Sequence, residues 1–373
     1  MRDRLLKDAT RVIVKIGSSL VASKGIGLRP ERIEQLAADI AALKKSGRDV
    51  LVVSSGAIVS GIRKLGLTAY PKNLPEKQAA AAVGQSRLMW AYEKAFEALG
   101  QKVAQVLLTQ QDLADRKRFM NARNTLTALL EFGVIPIINE NDTVAVEEIR
   151  FGDNDNLAAL VAHLIDADLL VILSDVAGLY TEDPRTNNQA TLIPVVADIT
   201  KDIERRAGAT QSFEGTGGMA TKIQAAKTVA EYGGATLILS GEPSGLLPSI
   251  FDGAEAGTIF LPKGKRLTSR KHWIAFTLKA KGQLTLDDGA IDALVKRGKS
   301  LLPSGITAVS GEFNACDAVA CVDRHKKEVA KGLVNFSSDA LKRIKGMKTA
   351  EIQKVLGTQE YDEAIHRDNL VIL

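Results

Sequence analysis

Six short apolar runs constrain this chain more than any other feature. They are RVIVKIG from Arg11, DVLVVSSG from Asp49, KVAQVLL from Lys102, GVIPIINEND from Gly133, DLLVILSD from Asp168 and ATLILSG from Ala235. Each is rich in Val, Ile and Leu with little polar alternation, the pattern of strands buried on both faces of a parallel sheet. Amphipathic helical patterns separate them, at 30–46, 78–99 and 121–132. This alternation predicts an α/β fold, a mainly parallel sheet covered by helices on both faces. Ligands of such sheets sit outside the carboxyl ends of the strands, and here those ends carry the Gly, Ser, Asn and Asp residues.

The character changes past Lys263. KGKRLTSRK is basic and strand-poor and reads as a connector; short strands with frequent Gly and Pro follow, interrupted by helical segments at 289–297 and 338–345. The predicted division is an α/β domain over 1–262, a basic connector over 263–280, a small β-rich domain over 281–358 and a C-terminal tail over 359–373.

With 45% hydrophobic and 25% charged residues, the chain can bury a large core. Its 49 basic and 44 acidic side chains are too evenly balanced for charge alone to indicate a nucleic-acid partner. No apolar stretch approaches the ~20 residues of a membrane span; the richest, 169–173, is closed off by Asp168 and Asp175. The first residues mix charges of both signs and lack the apolar core of a signal peptide, so a cytoplasmic location is expected. Cys316 and Cys321 cannot make a disulfide framework. They are expected to be small, buried and unlinked, with a single bridge as the alternative. The histidines are dispersed, none with a second ligand at metal spacing.

Lys15 ends the first apolar run, just before Gly17. An ammonium at the end of a buried strand calls for an anion there, and glycine lets the backbone approach a phosphate. The alternative is a lysine snorkelling from an edge strand. Ser54-Ser55-Gly56 precedes a helix whose N-terminus suits a carboxylate or phosphate, or it carries an ordinary N-cap. Asn139-Glu140-Asn141-Asp142 and Gly152-Asp153-Asn154-Asp155-Asn156 are two polar clusters able to hold an amino acid by its charged ends, though Asn and Asp also favour turns. Ser174-Asp175 at a strand end suits a nucleotide or simply turns the chain. Gly215-Thr216-Gly217-Gly218-Met219-Ala220-Thr221-Lys222 opens a helix. A lysine in a first turn opposes the helix dipole by roughly a few tenths of a kcal/mol, so its pairing with glycine-rich backbone points to a polyphosphate, with a flexible loop as the alternative. Gly298-Lys299-Ser300 is not the end of a Walker motif: the position that must be glycine is Ala293, and a helix rather than a strand precedes it.

VIVKIGSSL, SDVAGLYTEDP and GTGGMATK together resemble the shared signatures of the amino acid kinase family. SSGAIVSGIRKLG, AAVGQSRLM, RFMNARNT, INENDTV and GDNDNLAAL resemble those of its members that phosphorylate glutamate, and LDDGAIDALVKRGKSLLPSGITAVSGEF is similar to a PUA domain. The resemblance implies the amino acid kinase fold with a C-terminal PUA-like domain, ATP as co-substrate with Mg²⁺, and phosphorylation of the L-glutamate side chain to L-glutamyl 5-phosphate, the first step of proline synthesis. It implies Lys15 and Lys222 as catalytic lysines, and Ser55, Asp142 and Asn154 as glutamate-binding residues flanked by Asp153 and Asp155. It places Lys15, Gly17, Ser174, Asp175, Thr216, Gly217, Gly218, Met219, Ala220, Thr221 and Lys222 at the ATP site. No protein ligand of Mg²⁺ is assigned. Feedback inhibition by proline, a homo-oligomer, coupling to glutamate-5-semialdehyde dehydrogenase and the absence of a membrane partner are further implications; RNA binding by the PUA-like domain stays open. Ser174 stands where threonine is expected, Ala220 where serine is common, and Cys316-Asp317 where the small domain's pattern usually ends Gly-Asp.

These residue types suit that chemistry. A side-chain carboxylate, with a reference pKa of about 4.3, is already ionised at pH 7 and needs no general base. The difficulty is bringing an anion to a polyanion, a task for positioning and charge neutralisation. The competing readings are a carboxylate kinase acting on aspartate or N-acetylglutamate, and an RNA-binding factor.

Overall fold

All six apolar runs become strands of one sheet. The structure, a computed structural model, describes residues 1–23, 27–145, 154–208, 218–263, 274, 278–347, 349–356 and 361–373. The chain divides into two compact units, Met1–Arg266 and Leu267–Leu373.

The strands of the first unit are β1 (Arg11–Ile16), β2 (Ala22–Ser23), β3 (Gly27–Leu28), β4 (Asp49–Val53), β5 (Val103–Leu108), β6 (Ile135–Glu140), β7 (Leu169–Ser174), β8 (Val195–Val196), β9 (Ala235–Ser240) and β10 (Thr258–Phe260). Eight of them form a sheet in the order β5-β6-β4-β1-β7-β9-β10-β8, every neighbouring pair parallel except β9 with β10. β2 and β3 form a separate antiparallel hairpin. After β1 the chain lays β4, β5 and β6 on one side and β7 and β9 on the other. The strand order therefore reverses at β1, where sheets of this kind open their crevice.

The helices of this unit are α1 (Arg2–Asp8), α2 (Ser18–Val21), α3 (Pro30–Lys45), α4 (Ala57–Lys64), α5 (Leu74–Glu97), α6 (Gln110–Ala114), α7 (Arg116–Glu131), α8 (Asn154–Leu164), α9 (Lys201–Gly208), α10 (Met219–Glu231) and α11 (Leu246–Ser249). Strand alternation divides the residues of β1 between two faces. Val12, Val14 and Ile16 join a core with Ile33, Leu36 and Ile40 of α3 and Tyr92 and Phe96 of α5. Ile13 and Lys15 alternate onto the opposite face. There α8 packs on β1 and β7, and α10 packs on β7 and on α8.

α4 and α5 cross in backbone contact. A Cβ added to Gly84 would lie 1.8 Å from the carbonyl oxygen of Ala57, and one on Gly61 1.7 Å from that of Ala80, so only hydrogen fits at either position.

The second unit has its own core, including Leu284, Val319, Cys321, Leu341, Ile352 and Ile365. It is built on β11 (Gly282–Leu286), β12 (Ile306–Gly311), β13 (Ala318–Val322), β14 (Glu328–Leu333) and β15 (Leu370–Ile372), in the order β12-β11-β13-β14-β15. α12 (Asp288–Val295), α13 (Ser338–Ile344) and α14 (Thr349–Leu356) accompany the sheet. Its fifth strand comes from the last residues of the chain. Both cysteines are free; Cys321 is buried as expected, but Cys316 is exposed, contrary to expectation. Cys316 occupies a turn at φ +71°, the left-handed region that favours glycine, and its N–H donates to the Val334 carbonyl at 2.7 Å. That geometry explains why glycine is the usual residue there. Of the KGKRLTSRK run, only Lys263 falls within the described residues.

Candidate active site

Lys15 emerges at the reversal point, on an interior strand paired with β4 and β7, so the edge-strand alternative is overturned. It is 5% exposed. Its Nζ lies 2.5 Å from Oδ1 of Asp155, a carboxylate in the first turn of α8 with no side-chain exposure. The other oxygen, Oδ2, lies 3.4 Å from Nζ of Lys222, buried in the first turn of α10. The Thr221 hydroxyl shares its proton between Oδ2 of Asp155 at 3.1 Å and the Gly218 carbonyl at 2.8 Å. One buried carboxylate thus lies against two lysines from different elements. Deleting it would remove the buried carboxylate that both lysines share, a loss of about 3–5 kcal/mol.

Asn154, immediately before Asp155, reaches the other way. Its Nδ2 donates to the Ser54 carbonyl, to Oγ of Ser55 at 3.0 Å and to Oδ1 of Asn139 at 2.8 Å. Ser54 and Ser55 follow β4, and Asn139 lies near the end of β6. Asn139 Oδ1 also accepts from the Glu140 N–H at 2.9 Å, while its Nδ2 donates to Oε1 of Gln85 at 2.7 Å. Two successive residues at the start of one helix therefore join a cluster of amides and hydroxyls to a pair of lysines.

Glu140 and Asp142, half-buried, continue the polar cluster. Burial pushes Asp142 up to about 6, and burial with the charge of Asp142 pushes Glu140 up to about 7. The same charge, after burial, raises the Tyr70 phenol.

The ends of β1 and β7 bring the nucleotide candidates together. The Gly17 N–H donates to the Leu173 carbonyl at 3.1 Å, beside Ser174, whose hydroxyl donates to Asp175 at 2.9 Å. Gly218 caps α10, with Met219, Ala220, Thr221 and Lys222 in its first turn. Asp153, Thr216 and Gly217 lie outside the described residues.

Sequence reasoning missed a polar stripe on α5. Gln78, Gln85 and Tyr92 recur at heptad spacing, so they share one helix face. Gln78 Nε2 donates to the Ala145 carbonyl at 3.2 Å, Gln85 meets Asn139, and the Tyr92 hydroxyl lies 2.9 Å from Oγ of Ser54. Three polar side chains at that spacing on a helix otherwise packed on the core were the available signal.

The sequence pattern of the amino acid kinase family matches residues 10–240, spanning every described residue of this cluster. The chain belongs to the amino acid kinase family. The PUA domain pattern matches residues 282–356. This family member is 52% identical over 373 residues to the glutamate 5-kinase of Geobacter sulfurreducens, covering 100% of both chains. It is 50% identical over 372 residues to that of Syntrophus aciditrophicus, covering 100% of this chain and 96% of the relative. Among solved structures, the UMP kinase of Bacillus anthracis superposes with a TM-score of 0.48 at 16% identity, covering 69% of this chain and 97% of that one.

Proposed function

We propose that this amino acid kinase is a cytoplasmic enzyme that transfers the γ-phosphoryl group of ATP to the side-chain carboxylate of L-glutamate, giving L-glutamyl 5-phosphate and ADP as the first step of proline synthesis. The observation that carries the reading is the junction at Asn154 and Asp155, which ties a cluster of amides and hydroxyls to two buried lysines. The full-length relatives named glutamate 5-kinase support it. The kinase domain occupies 1–262, the connector 263–280 and the PUA-like domain 281–358, with the tail 359–373 adding β15 to that domain's sheet.

In the reaction, one oxygen of the ionised carboxylate attacks the γ-phosphorus while the bond to the β–γ bridging oxygen breaks, and ADP departs with that electron pair. No proton needs to move. Lys15 and Lys222 neutralise charge gathering on the transferred group, and Asp155 holds both lysines in place. Ser55, Asp142 and Asn154 hold the α-carboxylate and α-ammonium of glutamate, with Asp153 flanking them. Gly17, Ser174, Asp175 and the loop from Thr216 to Lys222 hold ATP. Among the described residues, no three His, Cys, Asp or Glu side chains converge to hold a metal. Mg²⁺ would be held by the ATP oxygens, and would supply charge neutralisation there.

Proline shares the α-carboxylate and ammonium of glutamate and inhibits by occupying those same residues. Assembly into a homo-oligomer and coupling to glutamate-5-semialdehyde dehydrogenase, which would consume an unstable acyl phosphate, complete the proposal. A groove of about 700 Å³ on the C-terminal unit mixes Arg297 and Lys299 with Asp287, Asp362 and Glu363. That balance gives a polyanion such as RNA little net attraction.

The test is ATP-dependent hydroxamate formation in the presence of hydroxylamine. A signal with L-glutamate, absent with L-aspartate and N-acetyl-L-glutamate and suppressed by proline, is expected. A signal with another acid alone would reassign the substrate, and none with any acid would reject the reaction.

A further inference from the structure

The amide network around Asn154 has a fixed polarity. A backbone N–H can only donate, so the Asn139 atom facing the Glu140 N–H is its oxygen. The other end of that amide is then nitrogen, and the Gln85 atom 2.7 Å from it is an acceptor oxygen. At the far end, a backbone carbonyl can only accept, so the Asn154 atom facing the Ser54 carbonyl is nitrogen. The same nitrogen meets Asn139 Oδ1 at 2.8 Å. Two backbone groups of known polarity, one at each end, thus require the same orientation of all three amides.

Asn154 Nδ2 has three protein acceptors for its two hydrogens, so what this side chain offers a ligand is its oxygen. Ser55 accepts from that nitrogen through Oγ at 3.0 Å, which leaves its own O–H to donate. An acceptor from Asn154, a donor from Ser55 and the carboxylate of Asp142 complement an ammonium and a carboxylate on one carbon.

We infer that Gln85 is a positioning residue for recognition of the substrate's α-ammonium: its oxygen holds Asn139, and Asn139 holds Asn154, with the Asn154 oxygen presented to the ligand. This rests on the glutamate reading above. Asn139 is 3% exposed and Asn154 8%, so neither amide can exchange a lost partner for bulk water without cost. Gln85 itself need not touch the substrate. It sits on α5, the neighbouring positions of the stripe hold the Ala145 carbonyl and Ser54, and the helix serves as the rigid backing of the amino acid site.

The experiment compares steady-state kinetics of Gln85→Leu and Gln85→Glu with wild type in the full-length chain, with thermal melting measured alongside. Glutamate at position 85 retains an acceptor for Asn139; leucine does not. Gln85→Leu is expected to raise the KM for L-glutamate about tenfold, with kcat and the KM for ATP within about twofold of wild type. Gln85→Glu is expected to keep the glutamate KM within about threefold of wild type. Should Gln85→Leu fail to fold, Gln85→Met preserves chain length and carries the same comparison. An unchanged glutamate KM in the apolar variants, an equal loss in Gln85→Glu, or a parallel loss of kcat and ATP affinity would overturn the inference. A wild-type enzyme without glutamate-dependent turnover would instead overturn the functional reading on which it rests.

Discussion

At the level of single residues, Asp142 and Glu140 are the carboxyls through which the proposed site would respond to pH. Both carboxyls are raised, to about 6 and about 7, chiefly because burial penalises their ionised forms. Their effect on folding is therefore most favourable below the ordinary carboxyl range and weakens as pH rises from about 4 through the folded values. Substrate binding as proposed would have the opposite sign, because a protonated Asp142 cannot pair with an ammonium. We expect kcat/KM for glutamate to rise between about pH 5 and pH 8 with an apparent pKa of the pair between about 6 and 7, and Asp142→Asn to flatten that limb at a lower value. A flat wild-type profile would show that neither carboxyl governs binding. Residues of this kind differed in how openly the sequence displayed them. Lys15 and Lys222 were legible because each is a charge where a strand end or a helix dipole disfavours one. Asp155 was legible only as a neighbour of the site, since its two lysines lie far away in the chain, and Gln85 had no visible role because its partner is chosen by the packing of α5.

At the scale of elements, the crossing of α4 and α5 governs how the site is backed. Gly84→Ala would drive a methyl group toward the Ala57 carbonyl, so α5 must shift and carry Gln78, Gln85 and Tyr92 with it. We expect this substitution to cost about 1–3 kcal/mol of stability and to raise the glutamate KM, as read by melting and steady-state kinetics. Unchanged values of both would mean that the crossing yields without moving the stripe. In the second unit, Cys316→Gly relieves a left-handed backbone position. It should stabilise the full-length protein by about 1 kcal/mol, seen as a higher urea midpoint with an unchanged slope; a lower midpoint would assign the thiol a stabilising contact. Five of the six runs were readable because burial on both faces demands continuous Val, Ile and Leu; the sixth, β5, lies at the sheet edge and is mostly half-buried, contrary to that expectation. β8, with two residues, and β10, with three, are too short to leave such a run, and the reversed direction of β10 is set by its pairing with β9.

For the whole molecule, the two units have separate sheets and separate cores. All described candidates, from Lys15 to Lys222, lie in the first. A chain ending at Arg266 is expected to keep kcat for glutamate within about threefold of the full-length value, measured by ADP release. Complete loss of turnover in a folded truncation would show that the second unit takes part in the reaction. The central claim is that a glutamate carboxylate oxygen attacks the γ-phosphorus of ATP, and isotope transfer tests it most directly. L-Glutamate labelled with ¹⁸O in its side-chain carboxylate is incubated with ATP and hydroxylamine, and the released phosphate is analysed by mass. Hydroxylamine attacks the carbonyl carbon of the acyl phosphate, so the bridging oxygen leaves with phosphorus. One ¹⁸O atom per phosphate is the result predicted here; phosphate free of ¹⁸O, released at the same rate, would contradict carboxylate attack.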